Sequence, residues 1–494
     1  LRRLGLAAAA ACVALGCAAP PAAAPPPATA APAAPATARG DGLPPPERLA
    51  PTPAHVVLVS VTGLSPRDYR DGPAGPAPMP TLARLARAGA AADAVAPVAP
   101  ASPGPVHATL ATGRPPAVHG VGGDHPLVER GTDPARHRDA SRLAVPPLWA
   151  LARAGGASTA LIGWPTTVGA PADWLFPEIF PARLGETSVA LLAERATPEL
   201  LEAARRLGAD RPEAGFPGPA RDAVLTGLAC GLLNGPTPPR LTLMRLSQTE
   251  LPLRRGGADS DEARAAFAGA DAELARLVDC LAAAGRLAAT ALVVTGDVPV
   301  EPVHTVIRPN QALADAGLLV PRADGQGGVA RWDAFARSNG RSAFVYARDP
   351  ESAVLARRAL EEAAERTRAY RIVSAEEMLA RGADREAWFG LAATPGHQFD
   401  ESAAPEGPLL APSAARGAWG TLDPTASPAI GFVAWGSGVR PRIRIPELRQ
   451  TDVAPTVGRL LGLAVPNGEG RALVGVVRAP PVAVGPAGGR AGAR

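Results

Sequence analysis

Val56-Val57-Leu58-Val59-Ser60-Val61-Thr62-Gly63-Leu64 is the stretch on which the reading of this chain turns. A short β-branched run closed by a glycine turn is how a strand buried on both faces of a parallel sheet reads. A helix pattern follows at 81–87, with Pro80 at its start and Gly89 past its end. Working outward, buried strands are predicted at 158–162, 241–246, 291–295 and 431–435, with amphipathic helices at 261–284 and 351–366 between them. Strands alternating with helices indicate an α/β fold with a doubly wound, mostly parallel central sheet and helices on both faces. Residues 305–375 read as a smaller inserted subdomain with its own strand, at 342–346. In such sheets ligands sit outside the carboxyl ends of the strands, so the turns there carry the functional information.

The flanks read differently. Arg2 and Arg3, an apolar run and a small-residue site make residues 1–17 an export signal, too short to span a bilayer. Its end, Val13-Ala14-Leu15-Gly16-Cys17, resembles a bacterial lipobox, which implies lipidation at Cys17; an ordinary cleaved signal is the alternative. Residues 18–50, almost wholly Ala and Pro, are expected to be a disordered tether, and 479–494 a disordered tail. The domain proper is placed at 51–478, in which Cys230 and Cys280 form either a disulfide or two free thiols. Hydrophobic residues at 47% give a substantial core, and a net charge of +4 without an Arg-rich aromatic stretch excludes a nucleic-acid partner.

Several motifs fall in one order: VVLVSVTGL from Val56, PTLARLARAGA from Pro80, HATLATGRPPAVHGV from His107, VVTGDVPVEPVHTVIRPN from Val293, SNGRSAFVY from Ser338 and RQTDVAPTVGRLLGL from Arg449. Together they resemble the type I phosphodiesterase/nucleotide pyrophosphatase branch of the alkaline phosphatase superfamily, across roughly residues 55–475. The resemblance implies an alkaline-phosphatase-like fold and a two-zinc site that activates a Thr or Ser hydroxyl against a phosphate ester.

The residues that would carry that chemistry are largely replaced. Where the family has an Asp ligand after the first strand, this chain has Thr62. Pro103 stands at the nucleophile position, with Ser102 one residue early, and valine (Val106) replaces the asparagine that contacts phosphate. A paired Asp and His become Glu250 and Arg254, an Asp-His turn becomes Asp297 and Val298, and a late His becomes Trp419. Guanidinium, isopropyl and indole groups do not replace imidazole on zinc. The chain is therefore expected to bind no zinc, although Glu250 and Asp297 could hold Mg²⁺ or Ca²⁺ weakly. Arg254 is expected to pair with these acids in place of the metal, because buried carboxylates need a compensating cation.

Of the seven histidines, His107, His119 and His304 read as structural, and His397 as a surface loop residue. Trp164, Trp174 and Trp419 either line the cleft, where they would suit a sugar or an apolar ligand, or pack in the core. The expected function is an exported, lipid-anchored, non-catalytic binding or scaffold protein of the envelope, whose partner is an unidentified small ligand or envelope protein. The competing readings are a hydrolase using Thr62 or Ser102 with a rearranged or single-metal site, and a purely structural lipoprotein.

Overall fold

The computed structural model describes residues 42–72, 75–125, 139–181, 186–323, 328–404, 407–423, 427–466 and 468–478. The chain divides into two units, Leu1–Leu43 and Pro44–Arg494, and the second is the folded body. The export signal, Cys17, most of the Ala/Pro-rich segment, His137 and the tail from 479 lie outside the described residues.

The chain enters the sheet at β1 (His55–Val61) and passes through helix α1 (Pro80–Ala88), strand β2 (Ala90–Ala92) and helix α2 (Pro103–Thr112). Strands β3 (Thr159–Ile162) and β4 (Trp174–Phe176) follow, then helix α3 (Pro219–Asn234) and strand β5 (Leu241–Leu246). Helices α4 (Glu250–Gly256) and α5 (Asp261–Ala283) lead to β6 (Thr290–Gly296). The excursion that comes next holds β7 (Glu301–Ile307), β8 (Ala334–Ser338), β9 (Ser342–Ala347), helix α6 (Pro350–Thr367), β10 (Tyr370–Ser374) and β11 (Phe389–Ala393). Strands β12 (Phe432–Gly436) and β13 (Ile443–Ile445) and helix α7 (Val453–Leu461) complete the main body.

The main sheet runs β13-β2-β12-β6-β1-β5-β3-β4. All its pairs are parallel except those of β12, which runs antiparallel to both β2 and β6. β1 is buried from Val56 through Val61, Ser60 included, as a strand covered on both faces requires. Helix α1 packs on β12, α3 on β5 and α7 on β1. The elements read from the sequence are present with small shifts of boundary.

Strands β8, β9, β11 and β10 form a separate antiparallel sheet with α6 and a core of its own around Phe335, Phe344, Leu360 and Leu391. This subdomain reaches past residue 375, because β11 pairs with both β9 and β10. The Ala/Pro-rich segment also ends earlier than 50. Pro46–Arg48 is a short 3-10 helix, and Ala50 is hydrogen-bonded to Ala288 and to the Ser437 hydroxyl. Cys230 on α3 and Cys280 on α5 are joined as a disulfide, which settles the choice between a bridge and two free thiols.

Candidate functional site: a buried arginine among carboxylates

β1 lies between β5 and β6, so the turns after these three strands meet at their carboxyl ends. Thr62 follows β1, Glu250 opens α4 just after β5, and Asp297 follows β6; all three are buried. Glu178, past the end of β4, joins them. Gly63 holds the first turn at φ +72°, a left-handed conformation, and a Cβ there would strike Leu253.

At the centre sits Arg245, the fifth residue of β5 and fully buried. Its Nη1 donates to Glu178 Oε2 at 2.5 Å, and its Nη2 donates to Glu250 Oε2 and to Thr62 Oγ1, each at 3.0 Å. Asp297 Oδ2 lies 3.6 Å from the same nitrogen and accepts from Thr62 Oγ1 at 3.3 Å. The backbone N–H groups of Gly63 and Val298 donate to Asp297 Oδ1 at 2.9 and 2.6 Å. Burial alone would lower the Arg245 pKa, yet Glu178, Glu250 and Asp297 together raise it above the ordinary arginine value. Asp297 is pushed up by burial, in spite of Arg245 and the two N–H donors.

A second buried guanidinium stands behind the first. Arg221 on α3 is 2% exposed and lies 4.9 Å over the Phe180 ring, where Glu178 and Asp222 attract it. Asp222 accepts the backbone N–H groups of Ser247 and Gln248 and so shapes the turn leading to Glu250. Burial pushes its carboxyl up to about 6. The folded state therefore binds this proton more tightly than the unfolded chain does. The resulting stability is fully present below the ordinary value of 3.8 and is lost as pH rises through about 6. Asp222→Asn lacks this titration. Urea unfolding should therefore show the wild type losing more stability than the variant between about pH 4 and pH 7; parallel curves would contradict this.

The expectation for Arg254 is corrected. Arg254 is exposed, and its guanidinium lies 5.0 Å over the ring of Trp419, with no ion pair to Glu250 or Asp297 among the described residues. One helical turn separates Arg254 from Glu250 on α4, and the acids' cation comes from inside the strand instead. Thr62, Glu250 and Asp297 do converge; Arg254 and Trp419 pair with each other in the adjoining wall. Val298 is fully buried, as a side chain with no polar atom should be.

The start of α2 is closed to anions. Pro103 and Pro105 have no N–H, and the one donor between them, Gly104 N, is bonded to Asp124 Oδ1 at 2.7 Å. Ser102 is fully buried as the residue before the helix. His107 is structural: its Nδ1 meets the Pro103 carbonyl at 2.7 Å and its Nε2 the Ser60 hydroxyl at 2.9 Å. His119 is likewise buried, bonded to Thr109 Oγ1, and lowered to about 3 by desolvation. His304 is exposed, with its Nδ1 2.8 Å from the Thr305 hydroxyl and its ring edge-on to His397, the centroids 5.6 Å apart. Trp164 packs against His107, and Trp174 lines neither compartment of the cleft.

A cleft of about 460 Å³ opens over the cluster, lined by Pro103, Glu178, Phe180, Phe216, Glu250 and Leu251 among others. Asp124, His125 and Arg254 separate it from a polar compartment of about 290 Å³ beside Trp419 and Asn339. Two zinc ions do not fit this donor set. The Thr62, Glu250 and Asp297 oxygens already face a fixed cation, and Val298 and Trp419 offer no lone pair. Sequence reasoning missed Arg245 and Glu178. The available signal was a charged residue inside an otherwise apolar buried strand, which implies buried counter-charges.

A model of the type I phosphodiesterase/nucleotide pyrophosphatase family matches residues 56–403. Among solved structures, the human ectonucleotide pyrophosphatase/phosphodiesterase 5 is similar at 16% identity, with 84% of this chain and 97% of that chain covered and a TM-score of 0.59. The murine protein matches over the same shares of both chains at 15% identity and TM-score 0.58. An inactive variant of it in complex with AMP matches over those shares at 16% and 0.58. A search of curated proteins finds no match. No helix among the described residues is long and apolar enough to cross a membrane.

Proposed function

This chain belongs to the type I phosphodiesterase/nucleotide pyrophosphatase family, and we propose that it is an exported, non-catalytic member that binds a small ligand in its cleft. The observation that carries this reading is Arg245, a buried cation 3.0 Å from Glu250 Oε2 and 3.6 Å from Asp297 Oδ2. Its charge satisfies acids that would otherwise need a metal ion, including the weak Mg²⁺ or Ca²⁺ considered from sequence. Proline at the nucleophile position and Asp124 on the Gly104 N–H remove the other two parts of phosphoryl transfer. For the same reason AMP, which the murine relative's inactive variant holds, is not assigned to this cleft.

Lipidation at Cys17 and an envelope location complete the proposal. The Cys230–Cys280 disulfide supports an oxidising compartment.

The test is metal analysis of the purified chain together with turnover of bis-p-nitrophenyl phosphate. Zinc far below one equivalent and turnover equal to the protein-free blank are expected. Near-stoichiometric zinc with turnover would establish the hydrolase reading instead.

A further inference from the structure

We propose that the apolar cleft over the Arg245 cluster takes a protonated amine on an aryl or alkyl body, with Glu178 Oε1 accepting its N–H groups. This rests on reading the cleft as a binding site.

Glu178 is 8% exposed and lines the cleft. Arg245 Nη1 fixes its Oε2 at 2.5 Å, and its backbone N–H donates to the Trp164 carbonyl at 3.3 Å, so the carboxylate is held in place. The other oxygen, Oε1, has no hydrogen-bond partner among the described residues, and it is not sealed in the interior but open to the cleft. A carboxylate accepts through both oxygens, so a buried one with an oxygen unused calls for a donor.

The surrounding charge selects that donor. Two buried guanidinium groups, Arg245 and Arg221, stand among four buried carboxylates, those of Glu178, Glu250, Asp297 and Asp222. Even with Asp297 protonated, three negative charges face two positive ones. Water can serve the Oε1 lone pair, but only a cation also offsets this excess. An anion would meet it as a like charge. Arg254 and Arg255 belong to the lining as well, but both are exposed, where water and salt screen them, and Arg254 lies on Trp419.

The walls select what the amine is attached to. Pro165, Phe180, Pro181, Phe216 and Leu251 line the cleft, and Phe216 and Leu251 stand 50% and 38% exposed. An apolar body lying on these side chains removes them from water, as a hydroxyl-rich one would not. At about 460 Å³ the space holds one ring or a short chain beside the charged group.

The experiment uses the purified full chain, with calorimetry at neutral pH and constant ionic strength. The probes are phenethylamine and octylamine, each beside its carboxylate counterpart and its trimethylammonium counterpart, a cation with no N–H to donate. At least one amine should bind saturably, and its two counterparts about tenfold or more weaker. Glu178→Gln keeps the side chain's shape and should weaken the amine about tenfold or more. Phe216→Ala, at an exposed position, should weaken it several-fold. The proposal is overturned if neither amine binds, if either counterpart binds as tightly, or if a folded Glu178→Gln or Phe216→Ala protein binds as the wild type does. Should Glu178→Gln not fold, the probe series and Phe216→Ala decide. Absence of amine binding in a zinc-free, inert protein sinks this inference alone, whereas zinc with turnover sinks the reading beneath it.

Discussion

Arg245→Met is expected to lower the stability of the folded protein by about 3–5 kcal/mol, the range for removing one partner from a buried ionic cluster. Methionine approximates the arginine stem in volume, so the loss reports charge more than packing. Glu178, Glu250 and Asp297 would remain buried, with Arg245 no longer beside any of them. The cost is the desolvation of carboxylates left without their cation, rather than the net worth of the pairs in the intact cluster. Asp297, already pushed up by burial, would rise further once the Arg245 charge is gone. A folded pKa above the unfolded one gives stability that is largest at low pH and lost as pH rises through the folded value. The deficit of the variant should therefore narrow as pH is lowered from neutrality. Denaturant unfolding of both proteins across that range is the measurement. A variant that unfolds at the wild-type midpoint at neutral pH would show that Arg245 is not the compensating charge.

Reduction of the Cys230–Cys280 bond should produce the second largest effect. The bond closes a loop with a sequence separation of 50 between α3 and α5, which pack along each other. Chain-entropy arguments give about 4 kcal/mol for a loop of this size, and measured effects of native disulfides usually fall at about 2–4 kcal/mol. The Cys230→Ala/Cys280→Ala protein should unfold at the same denaturant concentration as reduced wild type, and well below the oxidised form. Thiol labelling of unfolded protein isolated without reductant, read at Cys230 and Cys280, provides the independent check. Two reactive thiols there would remove both this prediction and the support the bond gives to export.

Much of the scaffold was legible because it is written in local patterns. The apolar run at 241–246 and the periodicity at 261–284 each need only neighbours along the chain to be read, and β5 and α5 appear where those patterns stand. The same holds for the motifs that named a family and for the replacements at Thr62, Pro103, Val298 and Trp419. The extent of the smaller sheet was less legible. β11 is short and carries Gly390, and only its pairing with β9 and β10 identifies it as part of that sheet. The His304–His397 contact was hidden for the same reason, since adjacency across strands has no spacing along the chain.

That Thr62, Arg254, Val298 and Trp419 offer a metal neither carboxylate nor imidazole was determined by sequence alone, because a side chain's donor atoms follow from its identity. Which cation meets Glu250 and Asp297 was decided only by the tertiary structure. Arg254 and Arg245 are both cations near Glu250 in sequence, and covalent order does not say which one reaches it. The parallel register that sets Arg245 opposite Ser60, with β6 on the other side of β1 and Glu178 arriving from beyond β4, places the guanidinium among three carboxylates. Arg254, a turn further along α4, is left at the surface against an indole. Coulomb energy depends on distance through space, and those distances exist only once the strands have been ordered.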